Sequence, residues 1–444
     1  MYQPKGQPAV VEGQQEPAAE ARQSVLWMLG ATIVTGIAGY LVMWLTARTV
    51  GAAEYAVFGV FWSALFLVVG ILFGLQQEAT RVVVARAPNR QGAGPGPEHG
   101  PRSGRGGSLW LFAAGAGALV VIVLLATALL WAPPSLGEHS GLAVQVAIGS
   151  GLSAIVAVAS GMLAGRQRWR VLGLVIAADG LLRLACVGVV LAVLAEPAPL
   201  AWAVVAPYVL VVAGLFVIGG RRFLRDGRVG LSYRRLAANS AQTVVAASAT
   251  AVLINGFPLV LSLVARDLDA ALLGALIFAI TLTRAPLLVP LMALQSYLVT
   301  AFTLRRGDER RLLATWLVVV AAGAAVVAAV VWLAGEWALD VFVGADFALP
   351  ATLLALLVLA AGCIGALCVS GPALLARGLH TGYAIGWVVA SIATVVVLVL
   401  PAPIEVLIPI ALASGPLLGV AIHLVMLGRV RASDRRSTAA TATA

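Results

Sequence analysis

Long apolar runs separated by short polar breaks fill the chain from residue 24 to residue 427. Crossing a hydrocarbon core of about 30 Å takes about 20 largely apolar residues at helical rise. Twelve runs meet that requirement: 24–46, 56–76, 108–131, 142–164, 172–194, 201–219, 240–264, 271–298, 312–334, 349–375, 381–400 and 404–427. The pattern predicts an all-α integral membrane protein of about twelve transmembrane helices. An even number of crossings returns both chain ends to one side.

The first two spans have an echo in the second half. "LTARTVGAAEYAVFGVFWSALFLVVGILFGLQQEATR" covers 45–81 and "LSLVARDLDAALLGALIFAITLTRAPLLVPLMALQSYLVT" covers 261–300. Laying Ala265-Arg266 over Ala47-Arg48 sets an offset of 218 residues, which also brings Gln295 onto Gln77. "MLAGRQRW" (162–169) after span 4 and "LLARGLH" (374–380) after span 10 repeat a glycine and an arginine at the same relative place. A duplicated unit of six spans keeps its orientation, so the two lobes are expected to be pseudo-symmetric about an axis along the membrane normal, around a central cavity. The reading divides the chain into a disordered tail (1–23), a first lobe (24–220), a basic linker (221–239), a second lobe (240–428) and a second disordered tail (429–444).

Composition agrees with the span pattern: of 444 residues, 61% are hydrophobic and 11% charged, and mean hydropathy is +1.00. The net charge of +10 raises nucleic acid as a partner until the basic residues are placed. On the side of the chain ends fall 25 of the 29 Lys and Arg residues; the opposite loops hold Arg48 and Arg266 beside Glu54, Glu138, Glu196, Asp267, Asp269, Glu336, Asp340, Asp346 and Glu405. Retention of basic loops inside the cell explains this asymmetry without nucleic acid and places both termini in the cytoplasm. Arginine and alanine far outnumber lysine and isoleucine, the habit of a high-GC bacterial genome, so the membrane is expected to be a bacterial cytoplasmic one. The N-terminal segment lacks the pattern of a cleaved signal peptide. The inner connection 86–107 is Gly/Pro-rich and basic and reads as disordered beside anionic lipid.

Two arginines fall inside spans. Arg284, halfway along span 8, would cost about 2.5 to 3.5 kcal/mol facing lipid, so it is expected to face protein or water. Thr281 lies one turn earlier and Gln295 eleven residues on, close to the same helical face. Pro286 and Pro290 are expected to bend the helix and free carbonyls near the guanidinium. Span 7 supplies Ser248, Asn255 and Ser262, with Pro258 beside the asparagine; span 1 supplies Thr32, Thr35, Gly39 and Thr46. Such rows serve helix packing as readily as binding. Asp179 and Arg183, at i and i+4 in span 5, are placed to neutralise each other; a sharper reading makes them a coupling pair in which Asp179 takes up a proton. Glu78 is expected at the interface, and His99, His139, His380 and His423 in loops or at helix ends. Cys186, Cys363 and Cys368 lie in apolar runs and read as packing residues. No metal-ligand spacing, nucleotide-binding loop or nucleophile elbow occurs, so neither a metal, a cofactor nor a catalytic residue is expected.

The stretch "ARTVGAAEYAVFGVFWSALFLVVGILFGLQQEATR" (47–81) resembles the opening of the polysaccharide-biosynthesis transporter family, within the multidrug/oligosaccharidyl-lipid/polysaccharide flippase superfamily. Members have a small-residue first span, an outer "AR..G..EY..F" turn and a second span with a polar inner end. The resemblance implies flipping of a polyprenyl-diphosphate-linked sugar to the outer leaflet for cell-envelope assembly, alongside glycosyltransferases of the same pathway and in contact with membrane lipids. It implies a cationic cavity in which an arginine of span 8, here Arg284, recurs; the further charges that such flippases often carry in span 1 are absent here. On this reading Arg284, Asn255, Gln295, Thr35 and Thr281 bind the substrate. Two rivals stay open: a cation-coupled multidrug exporter, and a membrane-embedded glycosyltransferase, for which the outer loops are short.

Overall fold

A computed structural model describes residues 16–86, 107–225, 227, 232–305 and 308–442. The loop expected at 86–107 therefore lies almost wholly outside the described residues, as does most of the first tail. The described chain is helical throughout, and eleven helical segments are long and apolar enough to cross a membrane.

The eleven accommodate the twelve expected crossings because the first segment, Trp27–Ala85, is 59 residues long. At helical rise that is about 88 Å, nearly three bilayers, so it must double back. Helix α1 (Glu16–Arg86) does so at Gly51, whose φ of 79° and ψ of 172° interrupt the helix. A side chain there would be strained by the positive φ, and its Cβ would stand 3.8 Å from the Asp346 carboxylate. The residues before Gly51 form a first arm and those after it a second arm. The first lobe continues with α2 (Leu109–Ala126), α3 (Ala128–Leu136), α4 (Ala143–Gly165), α5 (Trp169–Val193) and α6 (Pro197–Arg225).

The second lobe opens on a broken span, α7 (Tyr233–Ile254) and α8 (Phe257–Val264). It goes on through α9 (Ala270–Leu304), α10 (Glu309–Phe342), α11 (Ala351–Leu375), α12 (His380–Leu398) and α13 (Ile404–Ala442). Shifting α9 back by the 218-residue offset gives 52–86, the stretch of the second arm of α1 among the described residues. The duplication read from two Ala-Arg pairs thus lays α9 over the second arm of α1.

The two tails expected to be disordered and the basic linker between the lobes are partly helical among the described residues. Helix α1 begins at Glu16, inside the first tail, with Pro17 at a position where its missing N–H does no harm. Helix α13 continues to Ala442 through an Ala- and Arg-rich sequence of high helix propensity. Helices α6 and α7 enter the basic linker from both ends.

The second arm of α1 carries the seam between the lobes. Near the loop at Gly51, Ala52 meets Gly274 of α9 so closely that a Cβ on Gly274 would lie 1.8 Å from the Ala52 carbonyl. Tyr55, Phe278 and Phe347 pack edge to face beside it, with centroids 5.3 to 5.6 Å apart. Trp44 Nε1 and Arg48 Nη1 donate to the Phe342 carbonyl at 2.9 and 3.1 Å. At the other end Gly74 touches the backbone of Thr243 and Val244, where a Cβ would come within 2.5 Å of the Val244 nitrogen. Thr243 Oγ1 donates to the Gly74 carbonyl at 2.8 Å. One turn on, Asn239 Nδ2 donates to Glu78 at 3.1 Å, and Arg81 grips the same carboxylate with two bonds of 2.7 Å. Glu78, expected at the membrane interface at the inner end of span 2, is 2% exposed; pairing with Arg81 and Asn239 is what permits a carboxylate inside the protein there.

Candidate functional site

The break in span 7 follows from its sequence, Ile254-Asn255-Gly256-Phe257-Pro258. Pro258 has no N–H, so the Ile254 carbonyl loses the donor that a continuous helix would supply. Helix α7 stops, the Asn255 and Gly256 amides fold back onto Ala251 and Val252, and α8 starts with the proline in its first turn. Carbonyls at a helix C-terminus carry a partial negative charge and must find donors.

Two side chains supply them, one from each lobe. Arg284 Nη1 reaches from α9 to the Ile254 carbonyl at 3.1 Å and the Leu253 carbonyl at 3.4 Å. Ser63, on the second arm of α1, donates to the Asn255 carbonyl at 2.5 Å and accepts from the Leu259 amide at 3.1 Å, bridging the break from end to end. The guanidinium lies over the Phe257 ring at 5.4 Å. Arg284 is 6% exposed, as the cost of an arginine in lipid demands. Its Nη2 is buried without a hydrogen-bond partner, and among the described residues no carboxylate forms an ion pair with it. A buried cation with spare donor capacity and no fixed counterion attracts an anion that enters beside it.

The expected substrate residues do not all meet here. Arg284 and Asn255 do, through the backbone of the break. Thr281, one turn away, donates to the Ile277 carbonyl of its own helix. Thr35 instead joins the first arm to α5, donating to the Ile176 carbonyl at 2.8 Å above Gly180. Gln295 lines a separate cavity in the second lobe. Helix α9 runs without interruption through Pro286 and Pro290, both exposed. The carbonyls that meet Arg284 are those freed by Pro258 on the neighbouring helix, not those expected next to the prolines of span 8.

The other buried arginine is neutralised. Arg183, 4% exposed, donates to Asp179 at 2.8 Å and to the Val204 carbonyl at 3.1 Å. It sits between the Phe66 and Tyr208 rings at 5.2 and 5.0 Å. His423, expected at a helix end, lies inside α13 and is fully buried. Its Nδ1 is 2.8 Å from Ser370 Oγ and its Nε2 3.3 Å from the Tyr383 carbonyl. Hydrogen bonding at both ring nitrogens makes the burial affordable in polar terms. Ser63 and Phe257 escaped sequence reading because a lone serine in an apolar run and a phenylalanine in a span carry no signal. The Asn-Gly-x-Pro stop itself was visible.

Comparison with known proteins adds to this geometry. No protein-family model matches the sequence. The chain is 34% identical over 417 residues to the uncharacterized protein Rv3630 of Mycobacterium tuberculosis strain H37Rv, covering 93% of each chain. It is 34% identical over 415 residues to the uncharacterized protein Rv1510 of the same strain, covering 92% of each. Among solved structures it is similar to a multidrug resistance MATE family transporter of the MOP superfamily in an inward-facing conformation. That match has a TM-score of 0.71 and 13% identity over 93% of this chain and 99% of the other. An outward-facing structure of such a transporter gives a TM-score of 0.59 at 14% identity over 94% and 96%. A MOP superfamily transporter from Pyrococcus furiosus gives 0.61 at 13% over 92% and 95%. Sequence identity over nine-tenths of both chains makes this protein a member of the family of mycobacterial Rv3630 and Rv1510, built on the fold of the MOP superfamily transporters.

Proposed function

We propose that the protein is a flippase that carries a polyprenyl-diphosphate-linked sugar across a bacterial cytoplasmic membrane, with both termini in the cytoplasm. The observation that carries this reading is Arg284, a buried guanidinium with one unpartnered nitrogen, no carboxylate ion-paired to it among the described residues, and a place at the junction of the lobes. A diphosphate is strongly disfavoured in hydrocarbon, and an arginine offers it several donors and a charge that does not titrate. Broken helices are where membrane transporters hold charged groups, and span 7 is broken beside Arg284.

Binding and movement are linked through the same atoms. The diphosphate replaces the Ile254 and Leu253 carbonyls as acceptor, and Arg284 leaves the end of α7 for the ligand. The break, held now by Ser63 alone, is then free to change angle. The polyprenyl tail stays in lipid while the head group crosses between the lobes, which open to one face and then the other. Glycosyltransferases of the same pathway supply the substrate on the cytoplasmic side.

The multidrug resistance transporters among the structural neighbours favour a second reading, a cation-coupled drug exporter. The polarity at the break counts against it, since a cationic drug would meet a cation. Pocket polarity differs between proteins of this fold: the Pyrococcus furiosus neighbour is described as having a binding pocket of reverse polarity that suggests a different function.

Reconstitution in vesicles separates the readings. Wild-type protein should expose a lipid-linked sugar on the opposite leaflet, Arg284→Lys should be slower, and Arg284→Ala slower still by at least tenfold at equal protein level. Equal rates for wild type and Arg284→Ala would remove Arg284 from the mechanism. Proton-driven movement of a cationic dye with no lipid flipping would establish the drug exporter instead.

A further inference from the structure

The first arm of α1 nears its end with two side chains turned to the second lobe, Trp44 and Arg48, four residues apart and so on one helical face. Helix α10 ends opposite them at Phe342. The Val343 and Gly344 amides both fold back onto the Leu339 carbonyl, so later carbonyls of that last turn need donors from outside their own helix. The first lobe supplies them. Trp44 Nε1 donates to the Phe342 carbonyl at 2.9 Å, and Arg48 Nη1 donates to the same oxygen at 3.1 Å and to the Val341 carbonyl at 3.3 Å. An indole N–H and a guanidinium can only donate, and the partial negative charge of a helix C-terminus suits a cation.

A carboxylate comes back the other way. Asp346, in the turn after α10, stands beside Gly51, 3.8 Å from the place of a Cβ there. The second arm restarts at that point, and a helix N-terminus favours negative charge. Each lobe thus offers the other a charge that matches a helix end.

These contacts are built to open. Arg48 and Asp346 are exposed, and Trp44 is 37% exposed. Water can replace such bonds without stranding a buried group, which is not true of the pairs made by Arg183 and Glu78.

The duplication shows that packing alone does not require them. At the 218-residue offset the counterparts of Trp44 and Arg48 are Ser262 and Arg266. Ser262 donates to the Leu259 carbonyl and Arg266 to the Leu263 carbonyl, each within its own segment. Among the described residues, then, one repeat of the two makes this cross-lobe tie.

We infer that Trp44 and Arg48 form a latch on the end of α10 that holds the lobes together at the face opposite the chain ends, and that its release lets that face open. The inference concerns the lobes rather than the cargo, so it applies to a flippase and to an exporter alike.

Distances between spin labels, measured by double electron–electron resonance, test it. One pair of labels is placed on Glu196→Cys and Glu405→Cys, exposed on that face in the first and second lobes. A second pair is placed on Arg168→Cys and His380→Cys, exposed on the chain-end face. The protein carries Cys186→Ala, Cys363→Ala and Cys368→Ala throughout. Arg48→Ala should raise the longer-distance population of the first pair about threefold or more. Trp44→Phe, which keeps a ring and removes only the N–H, should raise it less, and Arg266→Ala should leave it unchanged. The second pair should hold its distance or shorten in the same variants. Unchanged first-pair distances in both Arg48→Ala and Trp44→Phe would overturn the latch. An equal response to Arg266→Ala, or lengthening of both pairs together, would overturn it as well, because either marks general loosening. No substrate is present in the experiment, so failure of the latch leaves the flippase reading standing, and failure of flipping leaves the distances interpretable.

Discussion

The guanidinium of Arg284 takes the place of the amide that Pro258 lacks: its Nη1 sits 3.1 Å from the Ile254 carbonyl, whose helical donor would have been residue 258. One residue therefore closes a break in its neighbour and holds a charge ready for a ligand.

Replacing Arg284 with alanine should lower stability by about 1.5 to 3 kcal/mol, the worth of hydrogen bonds made by a charged group. Lysine, with a single point of charge, should restore part of the stability and less of the flipping. Thermal unfolding in detergent beside a vesicle flipping assay measures both.

Ser63→Ala leaves the Asn255 carbonyl and the Leu259 amide without their shared partner. A penalty of about 1 to 3 kcal/mol is expected, read as a lower midpoint of unfolding. Hydrogen exchange should quicken at residues 255–259 in particular.

Asp179→Asn strands the buried Arg183, with an expected loss of about 3 to 5 kcal/mol. The double change Asp179→Leu with Arg183→Met removes both charges and should recover most of it. If the pair is structural, the double variant flips substrate at a near wild-type rate; if Asp179 carries the coupling proton, transport fails although the protein is stable.

Glycine contacts at the two ends of the second arm predict opposite conformational biases. Gly74→Val cannot keep the backbone contact with Val244, and Gly274→Val cannot keep the one with Ala52. Spin-label distances between the lobes should lengthen at the chain-end face for the first variant and at the opposite face for the second.

Apolar run length and the 218-residue offset made the crossings and the duplication legible, because both depend on burial in lipid, which acts on each residue in place. Arg284 was legible as a buried cation for the same reason. Its partners were not: a carbonyl on another helix leaves no mark in the sequence, and Pro286 and Pro290, nearer in the chain, drew attention away from Pro258. His423 was misplaced because an isolated histidine near the end of an apolar run reads as marginal until its partner Ser370, 53 residues away, is brought to it by folding. Thr35 and Gln295 share a face with plausible neighbours on a single helix, yet packing assigns one to α5 and the other to α11 and α12.

Ser63 stands eleven residues from Ala52 and eleven from Gly74, midway between two of the close contacts that tie the second arm to the opposite lobe. The arm thus has the proportions of a balance beam about 33 Å long, pinned at its centre to the flexible point of span 7. Tilting such a beam parts one end as it presses the other home, so a leak open to both faces at once would require the pin itself to give way.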